Sequence, residues 1–236
     1  SWTKITSGIP KSVLSYVHVI KEDPKRKGML YLGTENAIYF SINDGASWMP
    51  LQANMPHAPV HWLEIQENFS DLVVATYGRG FWIMDDITAL RQLTDEVMNS
   101  EMHLFEQRPA YRFQYISGPG RGKYSPADGR NPRYGASINY LLKESADSIN
   151  IEIRDKDDNL IVELDGSTGK GINRVQWDLR YDRATEPKLR TLPLGMEYDG
   201  AVPERLRENG KGWRPLVTWG YGGFDGPLVN PGKYTV

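Results

Sequence analysis

The sequence contains no cysteine. That absence excludes disulfides, a thiolate nucleophile and a cysteine-based zinc site. It fits a cytosolic or a bacterial exported protein better than a disulfide-rich ectodomain. No run of 18 apolar residues occurs, so no membrane-spanning helix is expected. Neither sign of charge dominates: 28 Lys and Arg against 30 Asp and Glu leave a net charge of −2. No basic field therefore invites nucleic acid or an anionic membrane. Long helical heptads are nearly absent as well. What the 236 residues do have is 11% aromatics, with 23 Gly and 15 Pro. This composition suits many short strands joined by tight turns, in a chain long enough to bury a core in one or two domains.

Residues 1–93 contain an internal repeat. The first copy runs SYVHVI (15–20), MLYLGT (29–34), AIYFSI (37–42) and SWMPL (47–51). The second runs VHWLEI (60–65), DLVVAT (71–76), GFWIMDD (80–86) and ALRQL (89–93). Their period-2 apolar spacing predicts strands with one face buried. Pro10 matches Pro56 and Thr34 matches Thr76, which gives a period of about 42–46 residues. That is the length of a four-stranded propeller blade. Two blades cannot close a ring of about four to eight. The expected partners are therefore the remaining blades, in the same protein or in a second chain.

Between the third and fourth strands of the first copy stands Ser41-x-Asn43-x-Gly45-x-Ser47-Trp48. Asn43, Asp44 and Gly45 are turn formers, the two serines can close the turn with hydroxyl bonds, and Trp48 can cover it. The pattern resembles the Asp box of sialidase-like β-propellers, with Asn in the Asp position and Ser in the Thr position. In the second copy, residues 84–87 carry neither Gly nor Trp.

Residues 94–135 read as a connector. Thr94-Asp95-Glu96 is an N-cap with an acidic first turn, for a short helix ending near Ser100. The Gly/Pro/basic stretch 117–135 reads as a solvated loop. Strands resume at 137–142, 148–155, 160–166 and 173–180, with a hairpin turn at 156–159, and predict an immunoglobulin-like sandwich over 136–236. A long polar insertion, 181–229, interrupts it. The expected fold is thus all-β: about two four-stranded propeller blades followed by an immunoglobulin-like β-sandwich.

DLVVATYGRGFWIMDD (71–86), together with DGASW (44–48) and NMP (54–56), resembles the last blades of bacterial BNR-repeat proteins. These are sialidase-like or sortilin-type propellers, many described as glycosyl hydrolases. HLF (103–105), AYRF (110–113), YGASINY (134–140), GINRVQWDLR (171–180) and PGKYTV (231–236) resemble the domain that follows the propeller in the same proteins. The resemblance implies a secreted or envelope-located protein, in the periplasm or on the outer surface, with carbohydrate or protein as ligand.

Strands that alternate in direction along a blade put the turn at Glu35-Asn36, the turn at 77–80 and the loop at 55–59 on one rim, opposite the Asp-box turn. The ligand candidates on that rim are Glu35, His57, Tyr77 and Arg79. Glycosidases generally need two carboxylates about 5–9.5 Å apart, and the rim offers only Glu35, because Asp85 and Asp86 fall at the Asp-box end. The expected function is therefore non-catalytic: a structural and ligand-binding segment of an exported propeller protein, with carbohydrate or protein as ligand. The alternative is the C-terminal portion of a glycoside hydrolase whose carboxylates lie mainly on other blades. His18 and His61 are expected as strand residues with satisfied polar tips, Tyr77 as a packing residue and His57 as a loop residue without partners. Arg79 is expected to tie the repeats together through carbonyls or a carboxylate.

No spacing of His, Asp and Glu meets a zinc template. Asp155-x-Asp157-x-Asn159 fails as an EF-hand, with Leu160 where Gly is required and Gly166 where the bidentate Glu should stand. No metal or cofactor is expected. Trp177 reads as core. Trp213, Trp219 and Tyr221 in the insertion are the candidates for an aromatic surface.

Overall fold

The computed structural model describes residues 2–112, 132–183, 185 and 225–236. Most of the 117–135 stretch and of the 181–229 insertion, including Trp213, Trp219 and Tyr221, lies outside the described residues. The fold is all-β in class: twelve strands in antiparallel sheets with two short α-helices and one 3-10 turn among the described residues. The chain forms two compact units, residues 1–149 with 166–176 and residues 150–165 with 177–236.

The first unit holds three sheets. β1 (Val17–Glu22), β2 (Leu30–Thr34), β3 (Ile38–Ser41) and β4 (Met49–Pro50) form a four-stranded sheet in chain order. β5 (Val60–Gln66), β6 (Asp71–Thr76) and β7 (Phe81–Met84) form a three-stranded one. Residues 89–93, expected as its fourth strand, are instead largely helical: α1 spans Thr88–Arg91. Asp86 explains the change. It takes a positive φ of 57° at the end of β7, and its Oδ1 accepts hydrogen bonds from the Thr88 backbone N–H and hydroxyl. The chain therefore turns into a helical start instead of a hairpin. α2 (Asp95–Asn99) follows as expected, with the Thr94 hydroxyl accepting from Val97 N–H at 3.1 Å.

β2 and β3 are buried on both faces, where alternation predicts one. Tyr31, Ile38 and Phe40 enter a core with Leu63, Leu72, Val74, Ile87 and Phe105. Leu32, Ala37 and Tyr39 pack with Trp48 and Ile9 on the other side. The segment before β1 supplies that second cover, since Trp48 donates its indole N–H to Ile5 O and its backbone N–H to Ser7 O, both at 2.8 Å. The Asp-box residues build the turn itself. Ser41 Oγ accepts from Gly45 N–H, and Asn43 Oδ1 accepts from the Ser41 hydroxyl and from Ser47 N–H, each at 2.9 Å. Asp44 and Gly45 take φ of 57° and 82°, values that only turn residues of this kind adopt readily.

The core is tied by a buried ion pair. Asp23, after β1, accepts from Arg91 Nε at 3.0 and 2.9 Å and from the backbone N–H groups of Lys25 and Arg26. The third sheet orders β12 (Gly171–Trp177), β9 (Ala136–Leu142) and β8 (Met102–Leu104). It is fastened to the end of β7 by Arg174, whose guanidinium donates to Asn139 Oδ1 and to the carbonyls of Asp85 and Asp86 at 2.7–2.8 Å.

In the second unit β10 (Asn150–Arg154) and β11 (Leu160–Asp165) form a hairpin. Asp155 Oδ1 closes its turn by accepting from Asp157 and Asn159 N–H, so these residues shape the turn as expected. Thr235 bridges to Arg154, and Trp177 is buried.

Candidate functional site

The repeat has a common defect. In β1 the register passes from Val17↔Thr34 to Val19↔Gly33, so His18 is an extra residue opposite a continuous β2. In β5 it passes from Val60↔Thr76 to Trp62↔Ala75, leaving His61 as the extra residue. Each strand thus carries a bulge at the same repeat position, and each bulge residue is histidine. The flanking backbone repeats too. Glu35 N–H donates to Tyr16 O at 3.2 Å, and Tyr77 N–H donates to Pro59 O at 2.9 Å. Thr34 and Thr76 each send backbone N–H and hydroxyl to the far side of the following turn, at Ala37 O and Gly80 O. Glu35 and Tyr77 are therefore equivalent positions. Bulges bend a strand and re-aim a side chain, and here they bring the two repeats together at one end.

The convergence is close. The rings of His18 and His61 lie 4.2 Å apart between centroids, and His61 stacks on Tyr77 at 5.6 Å. Tyr16 meets His18 edge-on at 4.8 Å. Glu35 Oε2 lies 2.7 Å from His18 Nε2 and accepts from the Tyr16 hydroxyl at 2.8 Å. The bond from His18 comes first, and that from Tyr16 second, in holding the Glu35 carboxyl below its usual range. The same contact to Glu35 pushes the Tyr16 hydroxyl up. His18 and Glu35 are partly buried and His61 is exposed, so the cluster faces solvent. The ligand atoms of His18, Glu35 and His61 all lie within 4.8 Å of one another.

Of the rim candidates, the fold places Glu35 and Tyr77 in this cluster. His57 has a partner, contrary to expectation: its Nδ1 lies 3.1 Å from Asn36 O. Tyr77 packs its ring on His61 and is 73% exposed. Arg79 is exposed, and its guanidinium has no hydrogen-bond or ion-pair partner among the described residues, so it does not tie the repeats together there. The Asp-box turn lies at the opposite end of the strands, beside the β1–β2 turn, where Asp44 N–H donates to Gly28 O at 2.8 Å. Reading each histidine on its own strand missed the pairing of His18 with His61. The available signal was their shared place in the repeat, Val-His-Val against Val-His-Trp, 43 residues apart.

A concavity of about 400 Å³ elsewhere in the first unit shares no residue with this cluster. Met55, Leu72, Val74, Trp82 and Met84 line it, with Asp85 at its edge. Burial first, then the neighbouring Asp71, pushes the Asp85 carboxyl up. Comparison with family models, with curated proteins and with solved structures finds no match for this chain.

Proposed function

We propose that this chain is a non-catalytic, ligand-binding segment of an exported sialidase-like or sortilin-type β-propeller protein. On this reading β1–β4 and β5–β7 are adjacent blades, and the second unit belongs to an immunoglobulin-like domain that follows them in the chain. The ligand face is the rim that presents Tyr16, Glu35, His61, Tyr77 and Arg79. The observation that carries the proposal is the equivalence of the two bulges, which aims matching side chains from successive repeats at one end.

A carbohydrate is the ligand this rim suits best. Tyr16 and Tyr77 expose large ring faces beside hydrogen-bonding groups, and Arg79, exposed and without a side-chain partner among the described residues, is available to an anionic sugar. Among the described residues Glu35 is the one carboxylate of the rim cluster, which favours binding over glycosidic cleavage. The test is a glycan array, followed by NMR titration of the best ligand against the parent chain, Tyr77→Ala and Arg79→Ala. Binding that weakens in both variants, with the glycan recovered intact, is the expected result. Binding unchanged by either variant, or cleavage of the glycan, overturns the proposal.

A further inference from the structure

We infer that His18, Glu35 and His61 form a binding site for a divalent transition-metal ion, of which zinc is the reference case. The inference goes beyond the ligand-binding rim and stands without it, because it rests on the two bulged histidines and on one carboxylate.

The donor set selects the class of ion. Two imidazoles and one carboxylate suit zinc, cobalt, nickel, copper or ferrous iron, whereas calcium and magnesium demand mostly oxygen. Geometry is the second argument. A tetrahedral zinc ion with bonds of about 2.0–2.1 Å holds its donors roughly 3.3 Å apart. Here Glu35 Oε2 and His18 Nε2 stand at 2.7 Å, and no pair of donor atoms in the trio exceeds 4.8 Å. The His18–Glu35 spacing is shorter than the required one and no pair stands far beyond it, so rotations of an exposed His61 and a partly buried Glu35 are what the ion requires. The third argument is support. The bulges hold both rings on paired strands, and the Tyr16 hydroxyl orients the carboxylate at 2.8 Å, as partners behind metal ligands commonly do. Each ligating imidazole nitrogen must carry no proton, so the cation replaces the His18–Glu35 hydrogen bond and leaves Glu35 bonded to Tyr16. Three protein ligands on a solvent-facing rim leave one position open for water or for an oxygen of a bound ligand.

The experiment is titration of the full chain with Co²⁺, followed by visible absorption, and with Zn²⁺, followed by calorimetry and by the melting temperature. One ion per chain is expected, with a ligand-field band from cobalt and an upward melting shift from zinc. Millimolar Ca²⁺ or Mg²⁺ should displace neither. His61→Ala is the decisive variant, because that ring is exposed and its removal leaves the fold intact; circular dichroism without metal checks this. It should weaken binding at least about tenfold and abolish the melting shift, as should Glu35→Gln. Tyr16→Phe, which touches the carboxylate and not the ion, should cost less than either. Failure of the parent chain to bind, or binding that His61→Ala and Glu35→Gln leave unchanged, overturns the assignment.

Discussion

Arg91→Met should be among the most damaging single changes outside the apolar core. Asp23 has a fully buried side chain, and Arg91 is 10% exposed. Methionine keeps much of the aliphatic stem of Arg91 and removes its charge, so the loss measures the uncompensated carboxylate. Breaking a buried pair costs about 3–5 kcal/mol. Three features place this pair at about 3 kcal/mol, the lower end. Asp23 Oδ1 keeps the N–H groups of Lys25 and Arg26 at 2.8 and 3.0 Å, Oδ2 keeps the Tyr31 hydroxyl at 3.4 Å, and Arg91 Nη2 is buried with no partner among the described residues. For a unit of this size a loss of about 3 kcal/mol lowers the melting temperature by roughly 6–12 °C. The double variant Asp23→Asn/Arg91→Met should recover most of it. Both turn bonds go to Oδ1, which asparagine retains, and the new amide can donate to Tyr31. Thermal and urea unfolding of the parent, the single and the double variant is the assay. A loss under about 1 kcal/mol in the single variant, or a double variant no better than the single, would show that removing Arg91 does not leave a costly buried carboxylate.

The Glu35 carboxyl should titrate below the ordinary range by side-chain NMR, and His18→Ala should raise its midpoint more than Tyr16→Phe does. Because the folded-state value is depressed, stability gained from these contacts is present above the ordinary carboxylate range and is lost as pH falls through the depressed value. For Asp85 the sign is opposite, since its folded-state value is raised. Asp85→Asn should therefore raise the melting temperature at neutral pH, with the gain disappearing below the ordinary aspartate range; a loss at neutral pH would contradict this. Gly33→Ala should destabilise by about 1–3 kcal/mol. A Cβ there would stand 2.5 Å from Val60 Cγ1 and 2.7 Å from Val60 O, where the first two sheets approach. Unfolding within about 0.5 kcal/mol of the parent would show that β5 yields easily.

Strand positions were largely legible because apolar alternation and turn residues both mark them, and eleven of the twelve observed strands fall within or across segments read that way. The exception is β8, read only as a connector. Three features escaped for local reasons. Residues 89–93 carry an apolar pattern that suits a strand or a helix, and Asp86 decided between them through a backbone conformation that sequence does not display. Burial of the second face of β2 and β3 depends on the segment around Ile5 to Ile9, which has no strand pattern of its own. The histidine cluster needed both the repeat and the bulges. A strict period of two sends His18 and His61 to the face opposite their immediate neighbours, and a bulge at each of them turns the two rings toward each other. The Asp-box turn, by contrast, was readable from five residues, because its bonds are nearly all local.

Whether equivalent bulges bring His18 and His61 together beside Glu35 can be read from ring-to-ring nuclear Overhauser spectroscopy on the histidine-labelled chain. Cross-peaks are expected between the His18 and His61 imidazoles and between His61 and Tyr77, with the His18 signals moving in Glu35→Gln. Absence of both cross-peaks in a folded sample, with histidine signals indifferent to Glu35→Gln, would contradict that arrangement.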